Sequence, residues 1–263
     1  MVTLGAMATR STGARPLPNG SLAQRTVDRL REAIFDGSYP PGAHLPELRI
    51  ARELGVSQST VREALQQLEA VGLVTRHPHV GTTVTRLTPK EVRERVQLRA
   101  LLEVQAAQEA ASRMSEEEFE ELERRLAALG SAIGRDSYYE AAQADLEFHR
   151  WIWKCSGNEM LCRLLDQLTV PLLAFVSVLR ASGLQHLVDV TAAHEPLVAA
   201  LRSGDRREIE EAFTRGATSS YEEFMDVTPS ARRAQAFGMM EHAPPPRAAA
   251  APAPIPPAAG RTE

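Results

Sequence analysis

The sequence predicts a mainly α-helical protein of two domains, because its helical and strand patterns change character near residue 87. Its 263 residues are too many for one small domain. Residues 21–87 contain three short helical patterns and then two runs of β-forming residues, whereas residues 88–228 contain six longer helical patterns joined by short turns. We expect the second region to fold as an antiparallel, all-α helical bundle.

The first domain begins with three predicted helices separated by turns that contain glycine. The first helix covers residues 22–36, and the second covers residues 45–54 and stops at Gly55. The third begins after Ser57, whose hydroxyl can accept a hydrogen bond from a free backbone N–H of the first turn. This order of elements predicts a helix-turn-helix.

The start of the third helix carries a short polar surface. Burial of Val61, Leu65 and Leu68 at the helical period leaves four polar side chains exposed, namely Gln58, Ser59, Thr60 and Arg62. Short polar groups at a helix N-terminus suit phosphates and base edges, and the helix dipole adds attraction for phosphate. We therefore expect this helix to contact DNA, with Arg62 on a phosphate or a guanine.

Two runs of β-forming residues, 72–75 and 82–85, follow the third helix. Residues 76–81 join them, so the pattern predicts a small β-hairpin that forms a wing beside the third helix. The candidate DNA contacts are then Arg49 on the second helix, Ser57, Gln58, Ser59, Thr60 and Arg62 on the third, and His77, His79 and Gly81 in the wing.

This first domain resembles the GntR family of winged-helix transcription factors. The resemblance is carried by Pro41-Gly42, Leu45 with Glu47, Ala51, Leu54-Gly55-Val56-Ser57, Thr60-Val61-Arg62-Glu63-Ala64-Leu65, Leu68, Gly72-Leu73-Val74 and Gly81. It implies binding to a double-stranded DNA operator. The chain departs from the family where an Arg usually follows the turn serine, because Gln58 stands there. The wing tip likewise reads Val80-Gly81 instead of Arg-Gly. Because Gln pairs with adenine, we expect an operator that differs from the usual one.

The charge of the chain is divided between the two regions. The whole chain has a net charge of −4, but residues 1–86 hold 10 arginines and 7 acidic residues, which is a net charge of +3. Positive charge therefore lies with the predicted DNA-binding domain, although weakly, and a dimer that presents two such domains would compensate.

The six helices of the second domain are predicted from their caps and periods. Thr88-Pro89 opens the first, at about residues 90–113, and Ser115 begins a capping box for the second, which ends at about residue 133. The others are expected at about residues 137–156, 158–181 with a bend at Pro171, 184–203 and 205–227.

This second domain resembles the FCD ligand-binding domain that marks the FadR branch of the GntR regulators. The matching residues, between about 92 and 224, are Arg99 with Glu103, Asp145-Leu146-Glu147-Phe148-His149, Ser156-Gly157-Asn158, His194, Leu197 and Leu201. The resemblance implies a domain that forms a homodimer and binds a small organic acid or an acyl derivative as its effector.

Asp145, His149 and His194 form a candidate metal or effector site. Asp145 and His149 project from one face of a helix about 6 Å apart. The family pattern is one Asp and three His, but residues 215–218, where the third His falls, contain none. Either one divalent metal such as Zn or Ni is held by three ligands, or both histidines donate hydrogen bonds to an organic effector. Arg99 either binds an effector carboxylate or pairs with Glu103.

These features predict an effector-responsive transcriptional regulator, expected to be a repressor and not an enzyme. Two alternatives stay open: a DNA-binding scaffold with a vestigial pocket, and a metal-dependent enzyme built on a helical bundle. No run of about 20 apolar residues predicts a membrane span, so we expect a cytoplasmic protein. We also expect a disordered leader at residues 1–20, a disordered Ala/Pro-rich tail at residues 229–263, and reduced, buried thiols at Cys155 and Cys162.

Overall fold

The computed structural model describes residues 21–133, 137–181, 190–219 and 221–222, and it is mainly α-helical. Within these residues it contains nine α-helices and one two-stranded antiparallel sheet. The fold class predicted from the sequence is confirmed. The predicted disordered leader and tail, and the last turns of the final predicted helix, lie outside the described residues.

The helix-turn-helix consists of α1 (Leu22–Phe35), α2 (Glu47–Leu54) and α3 (Gln58–Ala70). Gly55 ends α2 in the left-handed conformation, with φ 66°, which a residue with a Cβ adopts at a cost. Helix α2 begins two residues later than predicted. Pro46 is its N-cap in an extended conformation with ψ 112°, and the residue before a proline disfavours the helical region, so Leu45 instead donates its N–H to the Thr82 carbonyl of the wing at 2.9 Å.

The wing is formed by β1 (Val74–His77) and β2 (Gly81–Val84), which pair antiparallel with His77 opposite Gly81. The predicted strand bounds were wrong by two residues in the first strand and by one in the second. Gly72 has φ 72° and ends α3, so it cannot start a strand. The turn between the strands is shorter than predicted and consists of residues 78–80, in which His79 has a positive φ of 62°.

Six further helices form the second domain, and their order agrees with the sequence prediction. They are α4 (Pro89–Ala111), α5 (Glu116–Ile133), α6 (Tyr138–Cys155), α7 (Glu159–Ala181), α8 (Val190–Ser203) and α9 (Arg206–Ser219). The predicted caps are present: Thr88 and Glu91 form a reciprocal capping box on α4, and Ser115 and Glu118 form one on α5.

A single apolar core continues from the helix-turn-helix into α6 and α7 of the bundle. Phe35 at the end of α1 meets Tyr139 of α6 edge to face, with ring centroids 5.8 Å apart. Gln167 of α7 donates to the carbonyl of Ala70 at 3.1 Å. The two domains therefore share buried surface and do not behave as independent units joined by a linker.

Helix α7 is the one helix of the described residues that is long and apolar enough to cross a membrane, over Glu159–Arg180. Its mean hydropathy is 1.5, and 61% of the window is buried inside the protein. A helix in the core of a soluble bundle meets the same criteria of length and hydropathy.

Cys162 on α7 and Cys155 on α6 are both free thiols. They are half-buried, whereas full burial was expected, and burial raises the pKa of Cys155 to about 11.

Candidate functional site

A cavity of about 150 Å³ lies inside the bundle, and all six bundle helices contribute to its wall. Its apolar side comes mainly from α5, α7 and α8. The charged and polar residues that line it are Arg99, Asp145, His149, Ser177, Arg180, His194, Ser219, Tyr221 and Glu222. A small, mostly enclosed space with a few convergent polar groups is the usual form of a small-molecule site.

Asp145, His149 and His194 converge on one point of this cavity. The His194 Nε2 atom lies 2.9 Å from the Asp145 Oδ1 atom and 3.2 Å from the His149 Nε2 atom. All three candidate ligand atoms lie within 4.8 Å of one another. Ligand atoms held at about 2 Å from a tetrahedral Zn would be about 3.3 Å apart, so this donor set suits such an ion.

Glu103 orients His149, a role that the sequence analysis missed. The buried Glu103 carboxylate lies 3.1 Å from His149 Nδ1 and accepts a hydrogen bond from Arg99 Nε at 2.8 Å. Burial by itself would raise the pKa of Glu103, but the charges of His149 and Arg99 and their hydrogen bonds lower it to about 2. The ionised carboxylate therefore orients the His149 ring through Nδ1 and leaves Nε2 facing Asp145 and His194.

Arg99 is held by Glu103, its partner on the same helix, which is one of the two roles expected for it. Besides Glu103, Arg99 contacts the hydroxyl of the buried Tyr221, and burial raises the pKa of Tyr221 to about 12.

Arg180 on α7 lines the same cavity, and its Nε atom has no hydrogen-bond partner among the described residues. Desolvation lowers the pKa of this guanidinium. The sequence offered one indication of its role, since Arg180 is a lone cation at the end of a long apolar helix.

The segment that lacks the family's third histidine faces the cavity through Gly216. A Cβ atom added at Gly216 would lie 3.1 Å from Leu197 Cδ2, so a side chain here would need a small shift of that leucine. Ala217, the next residue, is buried but does not line the cavity. Of residues 215–218, position 216 is therefore the one from which a side chain would enter the cavity.

The predicted DNA-contacting residues of α3 are mostly exposed, but several are already paired. The Ser57 hydroxyl caps the helix by accepting from the Thr60 N–H at 3.1 Å, and it lies 2.8 Å from the Ser59 hydroxyl. Gln58 Nε2 donates to the Glu47 carboxylate at 2.8 Å, and Arg62 forms an ion pair with the same carboxylate at 2.8 Å. In the sequence, only the match to the family marks Glu47.

The other candidate DNA contacts lie on α2 and in the wing. Arg49 is 3.6 Å from Glu53 on its own helix. His77 Nε2 lies 3.1 Å from the Thr83 hydroxyl across the hairpin, whereas His79 and Gly81 are exposed at the tip. The wing therefore presents the His79 imidazole at its tip.

Comparisons with known proteins agree with both domains. Residues 22–84 match the family model described as bacterial regulatory proteins, gntR family, and residues 94–216 match the FCD domain. A probable D-xylose utilization operon transcriptional repressor of Paenarthrobacter nicotinovorans is 32% identical over 201 residues, which are 76% of this chain and 88% of that protein. The HTH-type transcriptional regulator YdhC of Bacillus subtilis (strain 168) is 32% identical over 157 residues, 59% of this chain and 70% of that protein.

A solved structure, that of Escherichia coli McbR/YncC, has the same fold. It superimposes with a TM-score of 0.65 at 23% sequence identity, and the match covers 78% of this chain and 98% of that chain. At this level of identity the likeness concerns the fold alone.

Replacing Glu103 with Ala should destabilise the protein, because Arg99 would remain as a buried charge without its carboxylate. We expect the free energy of unfolding at pH 7 to fall by about 3–5 kcal/mol, measured by urea denaturation. Glu94→Ala, which removes an exposed carboxylate from the same helix, should change it by less than about 0.5 kcal/mol.

The pH dependence of the difference in unfolding free energy between wild type and Glu103→Ala gives a second check. The pKa of Glu103 is about 2 in the folded protein and 4.5 for the ordinary carboxyl, so its stabilising contribution is complete above pH 4.5 and is lost as the pH falls towards 2. The gap between wild type and Glu103→Ala should therefore narrow in acid. A gap that stays constant would contradict the ionised state of Glu103.

Proposed function

Because this chain belongs to the GntR family of bacterial regulatory proteins and carries an FCD domain, we propose that it is a cytoplasmic, FadR-type repressor controlled by a small organic acid. The effector, an acid or a short acyl derivative, binds in the bundle cavity and changes the affinity of the winged helix for its operator. The observation that carries this proposal is the cavity itself, which is lined both by the Asp-His-His cluster and by a guanidinium nitrogen without a hydrogen-bond partner among the described residues.

The chemistry of the cavity favours an anionic effector of a few carbon atoms. Arg180 presents a desolvated cation that lacks a protein acceptor for its Nε, so a carboxylate can complete its hydrogen bonding. Ser177 also lines the cavity and can donate a further hydrogen bond. The volume of about 150 Å³ is below the roughly 300–1,000 Å³ of pockets for drug-sized ligands, which argues against a long acyl chain.

Asp145, His149 and His194 would hold one divalent metal, with Zn and Ni as the candidates. The metal would act as a Lewis acid that accepts an oxygen of the effector. Within the described residues, position 216 offers a glycine where the fourth protein ligand of the family would enter. The chain is therefore expected to bind metal more weakly than a four-ligand site and to leave more room for the effector.

Helix α6 connects the cavity to the DNA-binding domain. Asp145 and His149 face the cavity, whereas Leu146 and Trp153 of the same helix belong to the core that continues into α1 and α3. An effector that shifts α6 would change how the winged helix packs, provided that it binds the two domain arrangements with different affinity. Repression would end when the favoured arrangement no longer fits the operator.

A homodimer would cover an apolar face on α4 and α7. Four of the large exposed apolar side chains of the described residues lie on these two helices: Leu98, Leu101, Met160 and Leu164. Leu101 is 69% exposed, and it lines one groove together with Leu98 and Leu164. A second copy related by a two-fold axis would present the same face and bury both.

Small carboxylates should bind the wild-type protein and weaken its binding to an operator selected from random DNA. We expect Arg180→Met to reduce acid affinity at least tenfold by calorimetry, with acetate, lactate, succinate and citrate as probes and D-xylose as a neutral comparator. Arg163→Met, which removes an exposed arginine of the same helix, is the control. Absence of binding by every acid would leave a scaffold with a vestigial pocket, and turnover of an acid would indicate an enzyme.

Metal titration should separate three-ligand from four-ligand binding. After removal of bound metal, calorimetry with Zn or Ni should detect binding to wild type, a large loss in His149→Ala, and tighter binding in Gly216→His. Ala217→His should resemble wild type, because that residue does not line the cavity. Affinity should fall as the pH is lowered, since protons compete for the imidazoles. Metal retained equally by His149→Ala would exclude these ligands.

The apolar face predicts the oligomeric state. Leu101→Glu should convert a dimer into a monomer in sedimentation velocity at micromolar concentration, because a carboxylate without a partner would be buried in the interface. The control Leu48→Glu changes an exposed leucine of α2, outside this face, and should leave the dimer intact. A dimer in both variants would place the interface elsewhere.

A further inference from the structure

The carboxylate of Glu47, at the start of α2, binds both of the long polar side chains at the beginning of α3. Its Oε2 atom accepts from Gln58 Nε2 at 2.8 Å and from Arg62 Nη2 at 2.8 Å. Arg62 Nε lies 3.2 Å from each of the two carboxylate oxygens. The three side chains form a cluster that joins the two helices of the helix-turn-helix on its exposed side.

The geometry of this cluster leaves both side chains with groups that can still form hydrogen bonds to DNA bases. The guanidinium of Arg62 uses its Nε and Nη2 edge for Glu47, so the opposite edge, formed by Nη1 and the second N–H of Nη2, can still bind guanine in a bidentate manner. Gln58 gives one amide N–H to Glu47 and keeps its carbonyl oxygen and second N–H, which are the groups that pair with adenine.

The cluster also removes the net charge of the one cation in α3. The sequence of α3 contains Arg62 as its only basic residue, together with the acidic Glu63 and Glu69. With Glu47 beside it, Arg62 adds no net positive charge, so α3 gains little from sequence-independent attraction to phosphates. The hydrogen bond from Arg62 lowers the pKa of Glu47, which keeps the carboxylate ionised at neutral pH.

We propose that Glu47 is a specificity-determining residue of the DNA-binding domain, which positions Gln58 and Arg62 for base contacts and cancels the charge that would bind any sequence. Non-specific affinity is thereby held low, while contacts to the correct bases are pre-organised. The inference rests on the proposed recognition of the operator by α3. It predicts that removal of the Glu47 charge strengthens binding to random DNA and weakens discrimination.

The test compares wild type and Glu47→Gln, as full-length protein, on the selected operator and on random-sequence DNA over a range of salt concentrations. On random DNA, the slope of log K against log salt should become steeper by about 0.9 per subunit, because Arg62 is released to one phosphate. The ratio of specific to non-specific affinity should fall about tenfold. The control Glu63→Gln removes the same charge one residue from Arg62, but Glu63 is not among the groups that hold Gln58 or Arg62 in the described residues. It should leave the ratio within about twofold of wild type.

A double-mutant cycle with Arg62→Gln separates pairing from a general charge effect. In the Arg62→Gln background, Glu47→Gln should no longer steepen the salt slope. An unchanged slope and ratio for Glu47→Gln in the wild-type background would overturn the inference. Operator binding by Arg62→Gln equal to that of wild type would instead overturn the proposed contact between α3 and DNA.

A second variant covers the case in which Glu47→Gln fails to fold, as judged by its thermal unfolding. Glu47→Asp keeps the negative charge but shortens the side chain by one methylene, so it should leave the salt slope unchanged and still lower the specificity ratio. A ratio equal to that of wild type would show that the position of the carboxylate does not matter and would overturn the positioning role.

Discussion

The buried carboxylate of Glu103 constrains the whole helical domain. An ionised group without solvent is tolerated only when charged or polar partners surround it, and α4 supplies only one of them, Arg99. The second, His149, must come from α6, and His194 of α8 then follows through the two Nε2 atoms. Packing of these helices is therefore tied to a chain of polar contacts, which also gives the cavity its polar wall.

Helix α6, which contributes His149 to these polar contacts, also contacts the DNA-binding domain. Side chains on one face of α6 reach the cavity, and those on another face enter the core shared with α1 and α3. Helix α7 reinforces the contact through Gln167, which bonds to the end of α3. Packed side chains therefore connect the wall of the cavity with the winged helix.

Local interactions explain which parts of the fold were predictable. Ser57, Thr88 and Ser115 start helices through hydrogen bonds within three residues, so their positions can be recognised in a linear sequence. The errors arose where a distant partner decided the outcome. Leu45 was expected in α2 but bonds to the wing, and the hairpin is shifted because the turn tightened around His79.

The sequence by itself determined the two domains, the helix order, the polar start of α3 and four polar residues of the cavity, Arg99, Asp145, His149 and His194, because periodicity, caps and motif spacing are local properties. Only the tertiary structure decided how these residues are used. Glu103 holds His149, Arg180 lines the cavity with an Nε atom that has no hydrogen-bond partner among the described residues, and Glu47 binds the side chains expected to read DNA. The partners in these contacts come from different helices. Which side chains meet is set by how the helices pack, and a local sequence pattern does not contain that information.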